Sequence, residues 1–367
     1  MRSVVQISTF YSENGGVEKA VSDLVAGLKA DHAVSVLCTH SNQKTHRDDV
    51  DGVAVTSVGR FIEIQGRPLA AMFPYELSRF TCDVAHYHLP FPLAMASHLI
   101  SAPRAKLNVA TWHHDLVKNP HFKKFIEPFL ESFLDRLDMI IVTAPALIEH
   151  TPVLLKRREK CRVIPLGIAE ELFVREEPDT TCSGLPNTDE PVVLYVGRLV
   201  YYKGVDVLIR AMKSVKGQLM LVGEGPLRSE LESLAKELGI ADRVHFAGRV
   251  SDQDLAYAYK KSSIFVLPST LPTECFGLVQ VEAMLSGKPV INTNLPTGVP
   301  WVSIHNETGM TVPPNDVSAL SEAITGLLDN NQLRQKLGKQ ARERAQSMFT
   351  LKRHVSAVSD LYGELLG

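Results

Sequence analysis

Two glutamates, Glu274 and Glu282, are separated by seven residues and stand on either side of a predicted helix start. An ionised carboxylate accepts hydrogen bonds from neighbouring hydroxyl groups, as on a sugar. The amides near Gly277, Leu278 and Val279, together with the positive end of the helix dipole, favour a phosphate group. The stretch therefore predicts a ligand that carries both hydroxyls and phosphates. Two solvated helix acids would explain the same spacing, and this alternative stays open.

A second group of candidate residues follows the predicted strand 192–196. Gly197 lets the backbone approach a ligand closely, and Arg198 and Lys203 come directly after it. Two cations at the carboxyl end of a strand can stabilise a leaving phosphate. Two surface cations near a turn are the alternative interpretation.

Two further loops of the second half end predicted strands. Residues 222–226 read Val-Gly-Glu-Gly-Pro, which is more typical of a tight turn than of a base-contacting loop because the third glycine of a dinucleotide fingerprint is absent. Arg249 and Val250 end the next strand. They are candidates to border a nucleobase.

The first half of the chain holds its own candidates. Gly16 follows Gly15 before a predicted helix, where glycine permits close approach of a ligand, although a plain turn explains the pair equally well. His113 ends a predicted strand in the run Thr-Trp-His-His-Asp, which could supply a general acid or base. A structural pair of histidines is the alternative. His86 and His88 alternate onto one face of the preceding strand and are expected in structural or acceptor-side roles.

These residues need parallel strands that deliver them to one edge of a sheet. Apolar runs predict strands at 4–9, 33–38, 53–58, 84–87, 106–111, 139–143 and 162–164, with helices at 16–29, 68–80, 91–100 and 120–137. A polar stretch at 176–191, broken by prolines and a glycine, indicates a linker. A second series has strands at 192–196, 219–222, 244–247, 264–267 and 290–292, and helices at 204–214, 227–238, 252–260, 277–286, 317–328, 332–348 and 352–366. This alternation predicts two α/β domains with doubly wound parallel sheets.

Composition limits the classes of function. A chain of 367 residues with 45% hydrophobic residues suits two soluble domains. The net charge of −2 does not indicate a nucleic-acid partner. The first strand begins almost at once, the longest apolar run (139–148) is too short to span a bilayer, and the five cysteines lack metal-ligand spacing. A cytoplasmic protein without a signal peptide or metal site is expected.

With these motifs in order along the chain, the sequence resembles the GT-B glycosyltransferases of family four, a large retaining family. The resemblance rests on Glu274 and Glu282, on His113, on Gly197-Arg198 with Lys203, and on the loops 15–16, 223–226 and 248–250. It covers nearly the whole chain. It implies an N-terminal Rossmann-like acceptor-binding domain at 1–168, a C-terminal nucleotide-sugar-binding domain at 190–348, and a final segment at 349–367 that packs back on the first domain.

The resemblance also implies roles for individual residues. Glu274 and the amides of Phe276, Gly277, Leu278 and Val279 would hold the donor sugar, and Glu282 would bind the nucleotide ribose. Arg198 and Lys203 would bind the diphosphate, with Arg249 and Val250 at the nucleotide. Gly16 would lie near the donor phosphates and His113 beside the donor sugar. His113, Glu274, Arg198 and Lys203 would form the catalytic set, with no metal and no cofactor.

The resemblance is strongest to bacterial mannosyl- and rhamnosyltransferases that build O-antigen or exopolysaccharide. It implies GDP-mannose as the nucleotide-sugar donor, with a UDP-hexose as the main rival, and a lipid-linked oligosaccharide as acceptor. Two stretches, 121–129 and 156–162, are candidates for peripheral contact with the inner face of the cytoplasmic membrane. A solvated charged face would explain them equally well.

Other classes of protein make different demands on the sequence. A nucleotide-sugar epimerase can share the two-domain shape but calls for a pair of acids at the sugar ring in the first domain, and no such pair is evident. A binding protein without activity would be expected to lack Glu274, Arg198 or Lys203. A nicotinamide enzyme would open a domain with the three-glycine fingerprint.

Overall fold

The computed structural model describes residues 1–11, 15–64, 67–114, 120–174 and 188–367. The chain forms two compact units. The N-terminal unit comprises Met1–Gly167 together with Leu351–Gly367, and the C-terminal unit comprises Ile168–Thr350. The last helix therefore belongs to the first unit, although the second unit precedes it in the chain.

The N-terminal unit is built on an eight-stranded sheet with the order β10-β9-β8-β7-β1-β2-β4-β3. Its strands are β1 Arg2–Ile7, β2 His32–His40, β3 His46–Val50, β4 Val53–Gly59, β7 Thr81–Leu89, β8 Arg104–Trp112, β9 Met139–Val142 and β10 Cys161–Val163. Neighbouring strands are parallel except for the β3–β4 pair. A separate hairpin joins β5 Ile62–Ile64 to β6 Arg67–Leu69.

Helices cover this sheet as the right-handed connections of parallel strands require. They are α1 Gly16–Leu28, α2 Phe73–Ser78, α3 Pro92–Ser101, α4 Pro120–Asp135, α5 Pro145–His150, α6 Pro152–Leu155 and the C-terminal α15 Leu351–Leu366. Helix α15 lies against α1, and Val358, Leu361 and Tyr362 enter the apolar core between the helices and the sheet. The predicted return of the last helix to the first unit is observed.

The C-terminal unit is built on a six-stranded parallel sheet with the order β13-β12-β11-β14-β15-β16. Its strands are β11 Val192–Val196, β12 Gln218–Val222, β13 Val244–Gly248, β14 Ile264–Leu267, β15 Val290–Thr293 and β16 Gly309–Val312. The helices are α7 Glu171–Val174, α8 Val205–Met212, α9 Arg228–Glu237, α10 Asp252–Lys261, α11 Leu278–Leu285, α12 Val299–Val302, α13 Val317–Asp329 and α14 Asn331–Met348.

The two doubly wound sheets agree with the predicted architecture, and the differences lie at its margins. The helix predicted at 68–80 is only Phe73–Ser78, because Arg67–Leu69 pairs as a strand. Strands β3 and β16 and the short helices were not predicted. Most of the predicted linker lies outside the described residues. Across the described ranges, every helix is too short or too polar to cross a lipid bilayer.

Each sheet has a point where the strand order reverses, and loops gather there at the carboxyl ends of the strands. In the N-terminal unit this point lies between β1 and β7, and in the C-terminal unit between β11 and β14. The loops that follow β11 and β14 carry Arg198, Lys203 and Glu274. In the N-terminal unit, Gly16 follows β1 and His113 follows β8. His86 and His88 lie near the carboxyl end of β7.

Docking of α15 should account for part of the stability of the N-terminal unit. Leu361 is buried in its core. We expect Leu361→Ala to lower the free energy of unfolding by about 2–5 kcal/mol, because removing a buried leucine leaves a cavity. The exposed Lys352→Ala on the same helix should stay within about 0.5 kcal/mol of wild type.

The measurement uses the two tryptophans of the chain, which lie in different units. In a Trp301→Phe background, urea unfolding followed by fluorescence of the buried Trp112 reports the N-terminal unit alone. Equal midpoints for the Leu361 and Lys352 variants would contradict a stabilising role of the docked helix.

Candidate functional site

The centre of the C-terminal site is an ion pair between two loops. Lys203 closes the 3₁₀ turn Tyr201–Lys203 after β11, and Glu274 lies in the loop after β14. The Lys203 Nζ donates to the Glu274 Oε2 at 2.5 Å, and both side chains are only 11–12% exposed. The buried Ser269 Oγ donates to the same carboxylate oxygen at 3.0 Å. Because burying charges is costly, this extra donor helps to offset the desolvation of the carboxylate.

Glycine allows the two loops to meet. Gly204 follows Lys203 with φ of +64°, and a Cβ atom there would lie 2.1 Å from the carbonyl oxygen of Pro268. The Thr270 amide donates to the Tyr202 carbonyl at 2.8 Å across the same contact. A larger residue at position 204 would push the Lys203 loop away from the Glu274 loop.

Helix α11 begins next to this ion pair, close to the predicted start. Its N-cap is Gly277 with φ of +70°, where a Cβ atom would lie 2.6 Å from a methyl group of Leu267. Leu278 and Val279 form the first turn, whose amides lack partners within the helix. Phe276 is buried and stacks edge-on against Phe349. The amides that the sequence assigned to a phosphate or sugar therefore follow Glu274 directly.

Glu282 lies one turn further along α11 and is largely buried. The hydroxyl of Tyr259, from α10, lies 2.8 Å from its Oε2 atom and 3.0 Å from the Val279 carbonyl oxygen. Burial, followed by the charge of Glu282, raises the pKa of Tyr259 well above its ordinary value, so this phenol remains a donor. Tyr259 orients the carboxylate that the sequence assigns to a ribose.

The remaining candidates of this unit lie at neighbouring strand ends. Arg198 is exposed and donates to the Tyr202 hydroxyl at 3.2 Å. Arg249 is exposed and Val250 half-buried, directly after Gly248 with φ of +69° at the end of β13. Their roles at the diphosphate and the base stay predictions.

The N-terminal candidates surround a cluster of buried histidines. His86 and His88 of β7 stack with ring centroids 4.6 Å apart, and His88 stacks on His113 at 5.3 Å. His88 Nδ1 lies 3.0 Å from His113 Nε2. The expected single face for His86 and His88 is observed. The Nδ1 atom of His113 is buried and has no hydrogen-bond partner among the described residues.

These histidines are neutral near physiological pH. Burial lowers the pKa of His86 to about 3 and holds the pKa values of His88 and His113 well below the ordinary range, with the neighbouring histidines adding to the effect. A neutral His113 can accept a hydrogen bond or a proton but is a poor acid. Asp115, its predicted acidic companion, lies outside the described residues.

Gly16 is the first residue of α1 and is exposed. A Cβ atom at Gly16 would meet nothing within 4 Å, so internal packing does not require the glycine. A pocket nearby is lined by residues from α1 and from the ends of β1, β7 and β8, among them Thr9, Glu18, His88 and His114. Gly16 thus stands beside a small concave surface, and its role at a phosphate stays a prediction.

The two stretches predicted to touch a membrane differ in how far the structure describes them. The side chains of 121–125 lie outside the described residues. In 156–162, the cations Lys156, Arg157 and Arg162 each pair with a carboxylate, and Lys160 donates to two carbonyls. These pairings reduce the positive charge that the stretch can offer to an anionic surface.

Four residues of the two sites were not predicted: Gln6, Ser269, Tyr259 and Tyr362. Gln6 interrupts the apolar run of β1, which is a signal that sequence reasoning could have used. The other three carry no local pattern. The sequence around His32 is typical of an exposed turn, but this residue is buried under α15 beside Ser359. Among the described residues, no three His, Cys, Asp or Glu side chains are grouped to hold a metal ion.

Two family models match the chain. Residues 14–172 match Glycosyltransferase Family 4, and residues 181–344 match Glycosyl transferases group 1. The chain is 29% identical over 370 residues to O-antigen chain mannosyltransferase C of Escherichia coli, covering 100% of this chain and 99% of that protein. It is 30% identical over 365 residues to D-rhamnosyltransferase WbpZ of Pseudomonas aeruginosa, covering 95% and 92%.

Solved structures share the fold. Sucrose-phosphate synthase from Thermosynechococcus elongatus aligns with a TM-score of 0.78 and 25% identity over 100% of this chain and 99% of that one. Anabaena HepE in complex with UDP-glucose aligns with a TM-score of 0.79 and 20% identity over 99% and 100%. The protein belongs to glycosyltransferase family 4, has the GT-B fold and is a glycosyltransferase, as the resemblance implied.

The buried histidines should make the N-terminal unit sensitive to acid. Burial lowers the pKa of His354 to about 4, while its Nδ1 atom lies 2.8 Å from the Pro165 carbonyl oxygen. In the unfolded chain His354 binds a proton below about pH 6.5, whereas in the folded chain it stays neutral down to about pH 4. The contribution of neutral His354 to the free energy of unfolding is therefore fully present above pH 6.5. It is lost on acidification, by at most about 1.4 kcal/mol per pH unit.

We expect His354→Asn to reduce the slope of unfolding free energy against pH between 6.5 and 5, since asparagine can still donate to Pro165 but does not titrate. Urea unfolding at several pH values, read from Trp112 fluorescence, measures the slope. The exposed His150→Asn is the matched control and should keep the wild-type slope. An unchanged slope in the His354 variant would contradict the lowered pKa.

Proposed function

We propose that the protein is a retaining, metal-independent mannosyltransferase. It moves mannose from GDP-mannose to a lipid-linked saccharide acceptor in cell-surface polysaccharide biosynthesis, forming an α-linkage. The observation that carries the proposal is the buried cluster of Lys203, Glu274 and Ser269 at the switch point of the C-terminal sheet, beside the first turn of α11.

The cluster suits a nucleotide sugar because it offers cations, amides and a carboxylate together. Lys203 and Arg198 bind the diphosphate, and the amides of Gly277 and Leu278 add donors at the positive end of a helix. Glu274 accepts hydrogen bonds from sugar hydroxyls, and Lys203 lies against the same carboxylate. Glu282, oriented by Tyr259, accepts from the ribose hydroxyls. Arg249 and Val250 lie at the base.

The chemistry is a substitution at the anomeric carbon. The bond from that carbon to the diphosphate oxygen breaks as the bond to the acceptor oxygen forms on the same face. The leaving diphosphate takes the proton of the acceptor hydroxyl. Lys203 and Arg198 stabilise the charge that develops on the diphosphate, which is the largest contribution that fixed groups can make here. Neutral His113 accepts a hydrogen bond from a hydroxyl of the donor sugar.

The names of two relatives support the sugar and the pathway. An O-antigen mannosyltransferase and a D-rhamnosyltransferase match nearly the whole chain at 29–30% identity. Both names favour a 6-carbon sugar of the mannose type and a growing surface polysaccharide. A UDP-hexose donor is the alternative within the same mechanism, and an epimerase is the alternative within the same fold. Peripheral contact with the inner membrane face is part of the proposal through the lipid-linked acceptor.

Donor specificity is testable by calorimetry of GDP and UDP with EDTA present. We expect GDP to bind more tightly than UDP and to be unaffected by EDTA. Glu282→Gln should weaken GDP binding about 10–100-fold, because hydrogen bonds to a charged group contribute about 1.5–3 kcal/mol. The exposed Glu237→Gln, on α9 of the same unit, is the matched control and should bind as wild type.

Two outcomes would contradict the proposal in different ways. Preference for UDP would be compatible with the proposed mechanism but would contradict mannose as the transferred sugar. Failure of both nucleotides to bind would remove the assignment of the Glu274–Glu282 stretch. Where GDP binds, GDP-mannose with a lipid-linked saccharide should yield a product whose one-bond carbon–proton coupling at the anomeric carbon reports an α-linkage, and a β-linked product would exclude retention.

A further inference from the structure

A chain of buried polar groups joins the last helix to His113. It starts at Tyr362 on α15, which is fully buried, and passes through Gln6 of β1 and His88 of β7. The Gln6 Nε2 donates to the Tyr362 hydroxyl oxygen at 3.3 Å, Gln6 Oε1 lies 2.7 Å from His88 Nε2, and His88 Nδ1 lies 3.0 Å from His113 Nε2. Every link lies within the N-terminal unit.

With the Gln6 amide oxygen facing His88, the hydrogen bonds fix where each proton lies. An amide oxygen only accepts, so His88 must donate its Nε2–H to Gln6. His88 is neutral, and its Nδ1 atom therefore lacks a proton and accepts. His113 must then donate its own Nε2–H to His88. The neutral His113 ring is left with a lone pair on Nδ1, the buried atom that has no partner among the described residues.

Tyr362 sets the direction of this chain. Its hydroxyl lies 2.6 Å from His86 Nδ1, and the described residues around it offer that nitrogen as the acceptor for its proton, because Gln6 Nε2 is a donor. His86 Nε2–H then donates to the Thr111 hydroxyl at 2.7 Å. With its proton committed to His86, the Tyr362 oxygen accepts from Gln6 and keeps the Gln6 amide oxygen turned towards His88.

One other pattern would also satisfy these contacts, with every donor and acceptor reversed. In that pattern Gln6 turns its amide round, and His113 carries its proton on Nδ1. The buried Nδ1–H would then be a donor without a partner, which is rarer in proteins than an unpaired acceptor. The two patterns place opposite hydrogen-bonding groups at the same point in the site.

We propose that Tyr362, acting through Gln6 and His88, is a positioning residue that holds His113 in the Nε2–H tautomer. Its Nδ1 lone pair is thereby kept ready to accept a hydrogen bond from a substrate hydroxyl. The identity of that hydroxyl, on the donor sugar, rests on the proposed function. The tautomer itself follows from the hydrogen bonds of the N-terminal unit alone. Docking of the C-terminal helix and the chemistry at His113 are thus coupled.

The direct test is the tautomer of His113 in the full-length protein labelled with ¹⁵N-histidine. Long-range proton–nitrogen spectra distinguish protonated from unprotonated ring nitrogens, and loss of one set of signals in His113→Gln assigns the ring. We expect a protonated Nε2 and an unprotonated Nδ1 in wild type. A proton on Nδ1 would overturn the proposal without any variant being needed.

Tyr362→Phe removes the hydroxyl and should release the Gln6 amide. We expect the His113 signals to move towards a mixture of both tautomers. The matched control is Tyr75→Phe, an exposed tyrosine of the same unit, which should give the wild-type spectrum. An unchanged His113 tautomer in folded Tyr362→Phe would overturn the proposal. Should that variant not fold, Gln6→Met breaks the same chain one link later and carries the same expectation.

Kinetics give a second readout that a purely structural defect would not reproduce. Tyr362→Phe should lower kcat/KM for the sugar donor about tenfold, the value of one hydrogen bond, while GDP binds as in wild type because GDP lacks the hexose that His113 contacts. In a His113→Ala background the Tyr362 change should have no further effect. An equal loss of GDP binding, or an additive loss in the double variant, would contradict positioning through His113.

The two proposals fail separately. If the protein binds no nucleotide but shows the expected tautomer change, the role of Tyr362 is supported and the proposed nucleotide-sugar donor is contradicted. A protein that binds GDP and shows no tautomer change retains the proposed function and loses the role of Tyr362.

Discussion

The buried ion pair between Lys203 and Glu274 is the interaction on which the C-terminal site depends. Two charges removed from water remain favourable only if they meet at short range and receive further hydrogen bonds. Their loops must therefore approach closely, which Gly204 permits and Ser269 completes. The sheet makes this approach possible, because β11 and β14 are neighbouring strands and the loops that follow them begin side by side.

The N-terminal unit meets a different constraint with neutral groups. Its buried cluster consists of imidazoles, an amide and a phenol, and each hydrogen bond determines which group donates in the next. Burial keeps the rings uncharged, so the cluster does not need counterions. A charged site suits diphosphate, and a neutral one suits hydroxyls. The two units thus differ in the electrostatics of their buried polar groups.

Much of the fold was predictable because the central strands are buried on both faces and appear as apolar runs. Edge elements lack that signal. The edge strand β3 reads His-Arg-Asp-Asp-Val, and β16 is a four-residue strand at the margin of its sheet. His32 looks like a turn residue from its neighbours, yet α15, more than 300 residues later in the chain, covers it. The local sequence carries no signal for burial of a residue by a segment that lies far away in the chain.

The residue types of the site and their order along the chain were determined by the sequence, because carboxylates, cations and glycines have chemistry that does not depend on context. Helix α11 was also predictable, since its start and stop signals are local. The partners of these residues were decided only by the tertiary structure. Lys203 and Glu274 are 71 residues apart, and Gln6 and Tyr362 are 356 apart. Strand order in each sheet and the return of α15 bring them together, and only their burial gives those contacts their strength.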